Sequence, residues 1–248
     1  MGSVVVDNIE KRLATLRSAS TIEARAHEVH LELWNNRYDL FVDKVPSHPL
    51  ESVEPAVALS MKGFRVVTDP CLGEMWNEGR RVRVAGVVDQ DARLVKISPN
   101  LDGQERRFTT GHELGHVVEH PGMTLHRDRA LSGHMPRKDK MEREADLFSS
   151  CFLMPARHVL NEFYARFGMH VFRMNEDTAF GFLLGNYQSC RKKIKLQRDA
   201  SILSATASNF MGRHFLPLNQ FFGVSPVAMA IRLEEVGLVE PDSAKWVR

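Results

Sequence analysis

The sequence predicts an α+β fold in which helices lead into a small antiparallel sheet and further helices follow it. Three observations support this prediction. Apolar residues recur at helical spacing before residue 62, β-prone runs occupy residues 64–97, and the helical period returns from residue 104 onward. No repeat or low-complexity linker interrupts the chain, so we expect one α+β domain with the C-terminal helices packed on its core.

The first half of the chain is predicted to form two helices and about three strands. The helices are expected at residues 21–35 and 54–61, and the strands at residues 64–68, 81–88 and 93–97. Gly63 should stop the second helix, and Asp89-Gln90-Asp91 should separate the last two strands as a hairpin. A polar loop over residues 69–79 should follow the first strand.

The second half is predicted to be helical. One helix should cover residues 105–119 and end before Pro121-Gly122, and another should cover residues 140–153 and end at Met154-Pro155. Apolar periodic stretches near residues 159–167, 180–184 and 201–216 predict further helices. We expect three segments: an N-terminal helical segment over residues 1–48, a core over residues 49–160, and a C-terminal helical region over residues 161–248.

Composition indicates an ordinary globular protein of the cytoplasm. The net charge of +2 is too small to indicate a nucleic-acid partner by itself. Three cysteines, Cys71, Cys151 and Cys190, are an odd set at scattered spacings, which favours reduced thiols over a disulfide framework. No apolar run approaches the roughly 20 residues that span a bilayer, so no membrane partner is expected.

The most informative motif is His112-Glu113-Leu114-Gly115-His116, on the first helix of the second half. Residues four apart lie one above the other on a helix, so both imidazoles can bind one ion. A catalytic zinc site uses three protein ligands and leaves a fourth position for water. Glu113 is about 100° round the helix from His112 and can face that water. The motif predicts a zinc site with Glu113 as general base.

The next helix supplies candidates for the third ligand in Glu142-Arg143-Glu144-Ala145-Asp146. Glu142 and Asp146 are four apart on one face, so one carboxylate can bind the metal while the other accepts a hydrogen bond from a ligand histidine. Glu144 lies on a different face, and Glu142 is favoured over it on helical geometry. We predict Glu142 as the third ligand and Asp146 as the partner of a ligand histidine.

These motifs resemble the ImmA/IrrE metallopeptidases. The resemblance rests on residues 106–116, on Glu142 through Asp146 and on residues 148–155, covers about residues 50–160, and continues weakly at residues 222–233. It implies a zincin-like metallopeptidase domain whose zinc ligands are the two histidines and the first Glu of the ExxxD pattern, with Glu113 catalytic. One departure is Val118-Glu119 before His120, where the family often has a more apolar ending.

The resemblance also implies a function. Members of the family commonly cut a helix-turn-helix repressor encoded nearby, which derepresses stress-response, mobile-element or defence genes, including responses to DNA damage and viruses. We expect a zinc-dependent endopeptidase with such a repressor as substrate, and another divalent metal such as Mn²⁺ can replace zinc. Two alternatives stay open: a DNA-binding transcriptional regulator with a structural metal, and a general degradative protease.

Cys71 lies in the turn-rich loop Asp69-Pro-Cys-Leu-Gly-Glu74, upstream of the HExxH helix. A thiolate is a good zinc ligand, so this loop can fold over the metal, occupy the water position and hold the enzyme latent. The alternative is an ordinary loop thiol or a partly buried one.

A basic run and a turn in the C-terminal region suggest nucleic-acid contacts. The basic residues are Arg191, Lys192, Lys193, Lys195 and Arg198, with Tyr187 just before them. They can bind single-stranded DNA as an activator, or form a solvated helix face. Gly223-Val-Ser225-Pro226 is typical of the turn in a helix-turn-helix, although packing on the core is favoured because the following helix is almost wholly apolar. The oxyanion-stabilising residue is left open among His134, His158, His170, Tyr164 and Tyr187.

Overall fold

A computed structural model describes residues 21–77, 80–122, 125–129, 140–182 and 194–240 of the chain. The described residues group into two compact units that divide between Leu153 and Met154. They contain ten α-helices, a mixed sheet and a small hairpin, so the predicted α+β class is confirmed. The predicted segment boundaries near residues 49 and 161 stay predictions.

The helices of the first unit lie close to where the sequence places them. They are α1 (Thr21–Asn35), α2 (Arg37–Leu40), α3 (Pro55–Met61), α4 (Gly103–Glu119) and α5 (Lys140–Leu153), with a 3₁₀ turn at Pro49–Ser52. Helix α1 buries Ile22, Ala26, Val29 and Leu33, which is the helical period that predicts it. Pro55 occupies the first turn of α3, where its missing N–H costs nothing, and Gly63 follows the helix with a φ of 84°.

One sheet of five strands packs in the first unit. Its strands are β1 (Arg65–Thr68), β2 (Glu74–Asn77), β3 (Arg80–Asp89), β4 (Leu94–Ile97) and β5 (Leu125–Arg129). The central strand β3 pairs antiparallel with β4 on one side, and with β2 and β5 along successive parts of the other. The predicted β3–β4 hairpin is confirmed, and the Asp89 carboxylate accepts a hydrogen bond from the Ala92 N–H in its turn (2.9 Å).

The expectation of a wholly antiparallel sheet is wrong at one pair, because β1 runs parallel to β4. Parallel neighbours need a crossover connection, and residues 69–93 provide it by passing through β2 and β3 before β4 begins. The segment predicted as a polar loop over residues 69–79 contains β2, and β5 was not predicted at all. Both are short and flank β3, where backbone pairing forms a strand without a strong apolar alternation.

Helix α4 is fixed at both ends by side chains. Asp102 accepts a hydrogen bond from the Glu105 N–H (2.8 Å), and Glu105 accepts one from the Asp102 N–H (3.3 Å), which is a capping box. At the other end the Gln90 side-chain amide donates to the carbonyl of His120 (2.9 Å). The predicted ends of α4 and α5 are confirmed, and α4 begins two residues earlier than predicted.

Two glycines bring α4 into direct contact with α5. A Cβ atom on Gly111 would lie 2.6 Å from the Ser149 Oγ, and one on Gly115 would lie 2.9 Å from the Ala145 Cα and carbonyl oxygen. Contacts this short do not occur in folded proteins, so larger side chains at these positions would push the helices apart. Glycine therefore sets the separation of the two helices that carry the HExxH and ExxxD motifs.

The second unit is mainly helical. It contains α6 (Ala156–Phe167), α7 (Glu176–Gly181), α8 (Gln197–Thr206), α9 (Leu218–Phe221), α10 (Pro226–Glu235) and the hairpin strands β6 (Asn209–Phe210) and β7 (Arg213–His214). The predicted helix over residues 201–216 is wrong after Thr206, because Met211 and Gly212 adopt positive φ and form a tight turn. The predicted helix start at Ser225-Pro226 is confirmed, with the serine side chain accepting from the Ala228 N–H (3.1 Å).

A cluster of phenylalanine rings forms part of the core of this unit. The Phe167 ring centroid lies 5.8, 5.4 and 5.7 Å from those of Phe182, Phe210 and Phe215.

Over the described residues, every helix is too short or too polar to cross a lipid bilayer.

Candidate metal centre

Three side chains from α4 and α5 converge on one point. The Nε2 atoms of His112 and His116 lie 2.9 Å apart, and the Glu142 carboxylate oxygens lie 3.5 Å from the first nitrogen and 3.7 Å from the second. Ligand atoms of a tetrahedral zinc ion, at about 2.0–2.1 Å from the metal, are separated by about 3.4 Å. The three side chains are therefore placed to bind one metal ion.

The other nitrogen of each imidazole has a partner that fixes the ring. The Nδ1 of His112 lies 2.9 Å from the Asp146 Oδ1, and a carboxylate at that distance accepts the Nδ1–H of a neutral ring. The Nε2 lone pair of His112 then points toward His116 and Glu142. The structure thus brings Asp146 to a ligand histidine, the position that sequence spacing predicts for it.

His116 has a different partner, the imidazole of His120. Their Nδ1 atoms lie 3.2 Å apart, and the Nε2 of His120 lies 3.0 Å from a carboxylate oxygen of Glu144. The hydrogen bond from His120, together with the charge of Lys140, holds the pKa of the Glu144 carboxyl below its ordinary value. Glu144 therefore stays ionised beside His120, and Glu142 is the glutamate of α5 that joins the ligand cluster.

The donor set and its burial suit a divalent cation. At 2.9 Å the two imidazole nitrogens are close enough to share a proton or to offer both lone pairs to one cation. His112 and His116 are each 1% exposed, and the Glu142 side chain is 16% exposed, so one carboxylate joins two buried imidazole rings. Two nitrogens and one oxygen form a zinc-type ligand set with three protein donors.

Glu113 follows His112 on α4 but faces the sheet. It is fully buried, and its carboxylate lies against Gly86 of β3, where an added Cβ atom would be 2.4 Å from Oε1. The side chain of Thr109, one turn earlier on α4, packs on the same glycine. The missing side chain at Gly86 therefore makes the space in which the predicted general base lies.

A comparison with protein families agrees with this geometry. Residues 71–175 match the model of the IrrE N-terminal-like domain, which describes a family of peptidases. The chain carries a metallopeptidase domain of the ImmA/IrrE family. The matched residues of this ImmA/IrrE domain include α4, α5 and the strands β2 to β5, so the three side chains placed to bind a metal all lie within the match. A search of curated proteins found no significant match to the chain.

Cys71 is not brought together with the three ligands. It is exposed, and its backbone N–H donates to the Asp69 carboxylate (2.8 Å), which also pairs with Lys96 (3.0 Å). Within the described part of the chain, the group of side chains close enough to share an ion contains only His112, His116 and Glu142. Control of the metal by the Cys71 thiol stays a prediction.

The predicted basic residues lie partly outside the described ranges. Arg191, Lys192 and Lys193 lie outside those ranges. Two residues named in other predictions, Tyr187 and His134, also lie outside them. Arg198 is described, and its guanidinium makes two hydrogen bonds to the Glu234 carboxylate (2.8 and 2.9 Å). Lys195 donates its backbone N–H to Asp199 (2.9 Å). His158, His170 and Tyr164 lie in the second unit, where the last two stack at 4.8 Å between ring centroids.

Two features of the site were not predicted from the sequence, although each has a detectable signal there. His120 follows His116 by four residues, so the spacing that pairs His112 with His116 also pairs His116 with His120. Gly86 interrupts the β-prone run Val84-Ala-Gly-Val-Val88, and a glycine inside a strand often marks close approach of another group.

Proposed function

We propose that the chain is a zinc-dependent endopeptidase that cleaves a protein partner, with His112, His116 and Glu142 as ligands and Glu113 as general base. One observation carries the proposal: three donors converge within ligand distance of one another, and a buried carboxylate follows the first of them in sequence. Three protein ligands are typical of catalytic zinc sites, whereas structural sites usually have four.

The proposed chemistry is hydrolysis of a peptide bond. A zinc ion held by the three ligands would lower the pKa of a water molecule and polarise the carbonyl that is attacked. Glu113 would accept one proton of the attacking water as its oxygen bonds to the carbonyl carbon, then give that proton to the nitrogen as the C–N bond breaks. Asp146 and His120 would hold the ligand rings in place.

The proposed substrate is a helix-turn-helix repressor, and the support for it is the family resemblance. The test is to incubate the purified chain with the helix-turn-helix protein encoded beside its own gene and to identify cleavage by mass spectrometry. The matched variant is Glu113→Gln, which keeps the shape of the side chain and removes the base. We expect the variant to bind zinc as the native chain does and to cleave nothing.

Two outcomes of this experiment would favour the alternatives. Unchanged function in the Glu113→Gln variant would indicate a structural metal in a DNA-binding regulator. Hydrolysis of casein without any inducer would indicate a general degradative protease. The same proteins tested with and without single-stranded DNA would show whether DNA activates cleavage, and binding measured over a salt series would show whether the basic run is responsible.

Latency through Cys71 is tested separately. If the thiolate occupies the water position, Cys71→Ser raises basal cleavage of the repressor without an inducer. Unchanged basal activity would refute the latency hypothesis and leave the peptidase proposal intact. We place the reaction in the cytoplasm, where a transcriptional repressor acts.

A further inference from the structure

The imidazole of His120 contacts the side of the His116 ring that faces away from the ligand cluster. The two Nδ1 atoms are 3.2 Å apart and the ring centroids 5.3 Å apart. On its far side, the Nε2 of His120 lies 3.0 Å from the Oε2 of Glu144. The His120 side chain is 9% exposed, so little water competes for these hydrogen bonds. The Glu144 carboxylate is thus linked to the His116 ring by hydrogen bonds through the imidazole of His120.

Metal binding by His116 determines where the protons lie in the hydrogen-bonded series of His116, His120 and Glu144. If Nε2 of His116 offers its lone pair to the ion, the neutral ring carries its proton on Nδ1. That Nδ1–H can donate to His120 only if the Nδ1 of His120 has a lone pair. The proton of a neutral His120 must then lie on Nε2, and the Glu144 carboxylate accepts it. One arrangement of protons satisfies all three groups.

The backbone of His120 is also held in place by Gln90, which lies in the turn between β3 and β4. His120 is the first residue after α4, and its φ of −128° and ψ of 55° are not helical. The Gln90 side-chain amide donates to its carbonyl (2.9 Å), and the Gln90 Oε1 accepts from the Gly122 N–H (2.9 Å). His120 is therefore held by hydrogen bonds at both ring nitrogens and at its backbone carbonyl. Such a residue can fix the orientation of the histidine that it contacts.

We propose that His120, oriented by Glu144, is a positioning residue that fixes the tautomer and ring orientation of His116 for metal binding. This inference rests on the metal site of the proposed function. It assigns the two ligand histidines different supports. Asp146 accepts directly from His112, whereas Glu144 acts on His116 only by selecting the tautomer of His120.

The first test measures zinc affinity of the full chain by competition with a chelator. His120→Leu removes the acceptor, and we expect zinc to bind 10- to 100-fold more weakly. His120→Asn keeps an acceptor oxygen near the place of Nδ1, and we expect it to recover most of the loss. His27→Leu is the matched control, because it makes the same change at an exposed histidine of α1. It should bind zinc as the native chain does.

The second test reads the tautomers directly in the metal-free native chain. Nitrogen-15 chemical shifts, recorded at a pH where the rings are neutral, should show Nε2–H on His120 and Nδ1–H on His116. Glu144→Leu should remove the preference at His120, and Glu144→Gln, which keeps an acceptor oxygen, should retain it. This measurement needs no zinc and does not depend on whether His120→Leu folds.

Each negative result overturns a defined statement. Equal zinc affinity for the native chain and His120→Leu, or equal losses for His120→Leu and His120→Asn, would overturn the role of His120 alone. So would Nδ1–H on His120 in the native chain. A native chain that binds no zinc would overturn this inference together with the proposed function.

Discussion

Gly86 controls where the Glu113 carboxylate lies, so the substitution Gly86→Ala should slow catalysis without removing the metal. The added Cβ would lie 2.4 Å from Oε1 of Glu113 and 2.9 Å from the Cγ2 of Thr109, whereas ordinary contacts begin near 3.4 Å. The carboxylate oxygen must therefore move by about 1 Å. A displacement of about 1 Å at a reacting group can lower the rate about 100-fold.

The assay is kcat and KM for cleavage of the substrate, with zinc stoichiometry measured on the same samples. We expect kcat to fall by about 100-fold and zinc to stay bound, because Gly86 faces Glu113 and not the three ligands. The free energy of unfolding should fall by about 1–3 kcal/mol, since the end of the Glu113 side chain and the methyl group of Thr109 must both move.

Gly103→Ala is the matched control for this change. Gly103 is the first residue of α4, and an added Cβ there meets no atom within 4 Å, so kcat should not change. A Gly86→Ala variant with native kcat, folded and loaded with zinc, would refute the reasoning. It would mean that β3 does not fix the position of the base, or that Glu113 is not the base.

Three further changes test other parts of the structure. Gly115→Ala puts a Cβ within 2.9 Å of the Ala145 backbone, so it should separate α4 from α5, cost about 1–3 kcal/mol in denaturant unfolding, and weaken zinc binding; native affinity would contradict this. Asp146→Ala removes the acceptor of the His112 Nδ1–H and should weaken zinc binding 10- to 100-fold in a competition titration, and an unchanged value would refute its role. Ser225→Ala removes the N-cap of α10 and should cost about 1 kcal/mol in thermal unfolding of the second unit, with zinc affinity unaffected.

The cluster of three donors could be predicted from sequence because it depends on local geometry. Spacing of four residues places His112 above His116, and Glu142 above Asp146, whatever the rest of the chain does. Helix ends are also encoded locally. The capping box at Asp102 begins α4, and Pro121 and Pro155 follow the C-terminal ends of α4 and α5. The meeting of the two helices was inferred from the complementary metal ligands that they carry, because no local pattern fixes the distance between them.

What was missed depends on contacts between distant residues. The parallel pairing of β1 with β4 is set by the path of residues 69–93, and no periodicity within either strand reveals a neighbour's direction. The packing of Glu113 against Gly86 joins a helix to a strand 27 positions earlier in the chain. His120 and Glu144 were each visible in the sequence, but their contact follows only from the separation of α4 and α5 that glycine permits.

The most direct test of the metal centre is a crystal structure of the zinc-loaded chain, with the ion located by its anomalous scattering. We predict one zinc ion bound by His112 Nε2, His116 Nε2 and a Glu142 oxygen, at about 2.0–2.2 Å, with solvent in the fourth position. An ion held by a fourth protein ligand, or one located away from Glu142, would contradict the catalytic zinc site proposed for this chain.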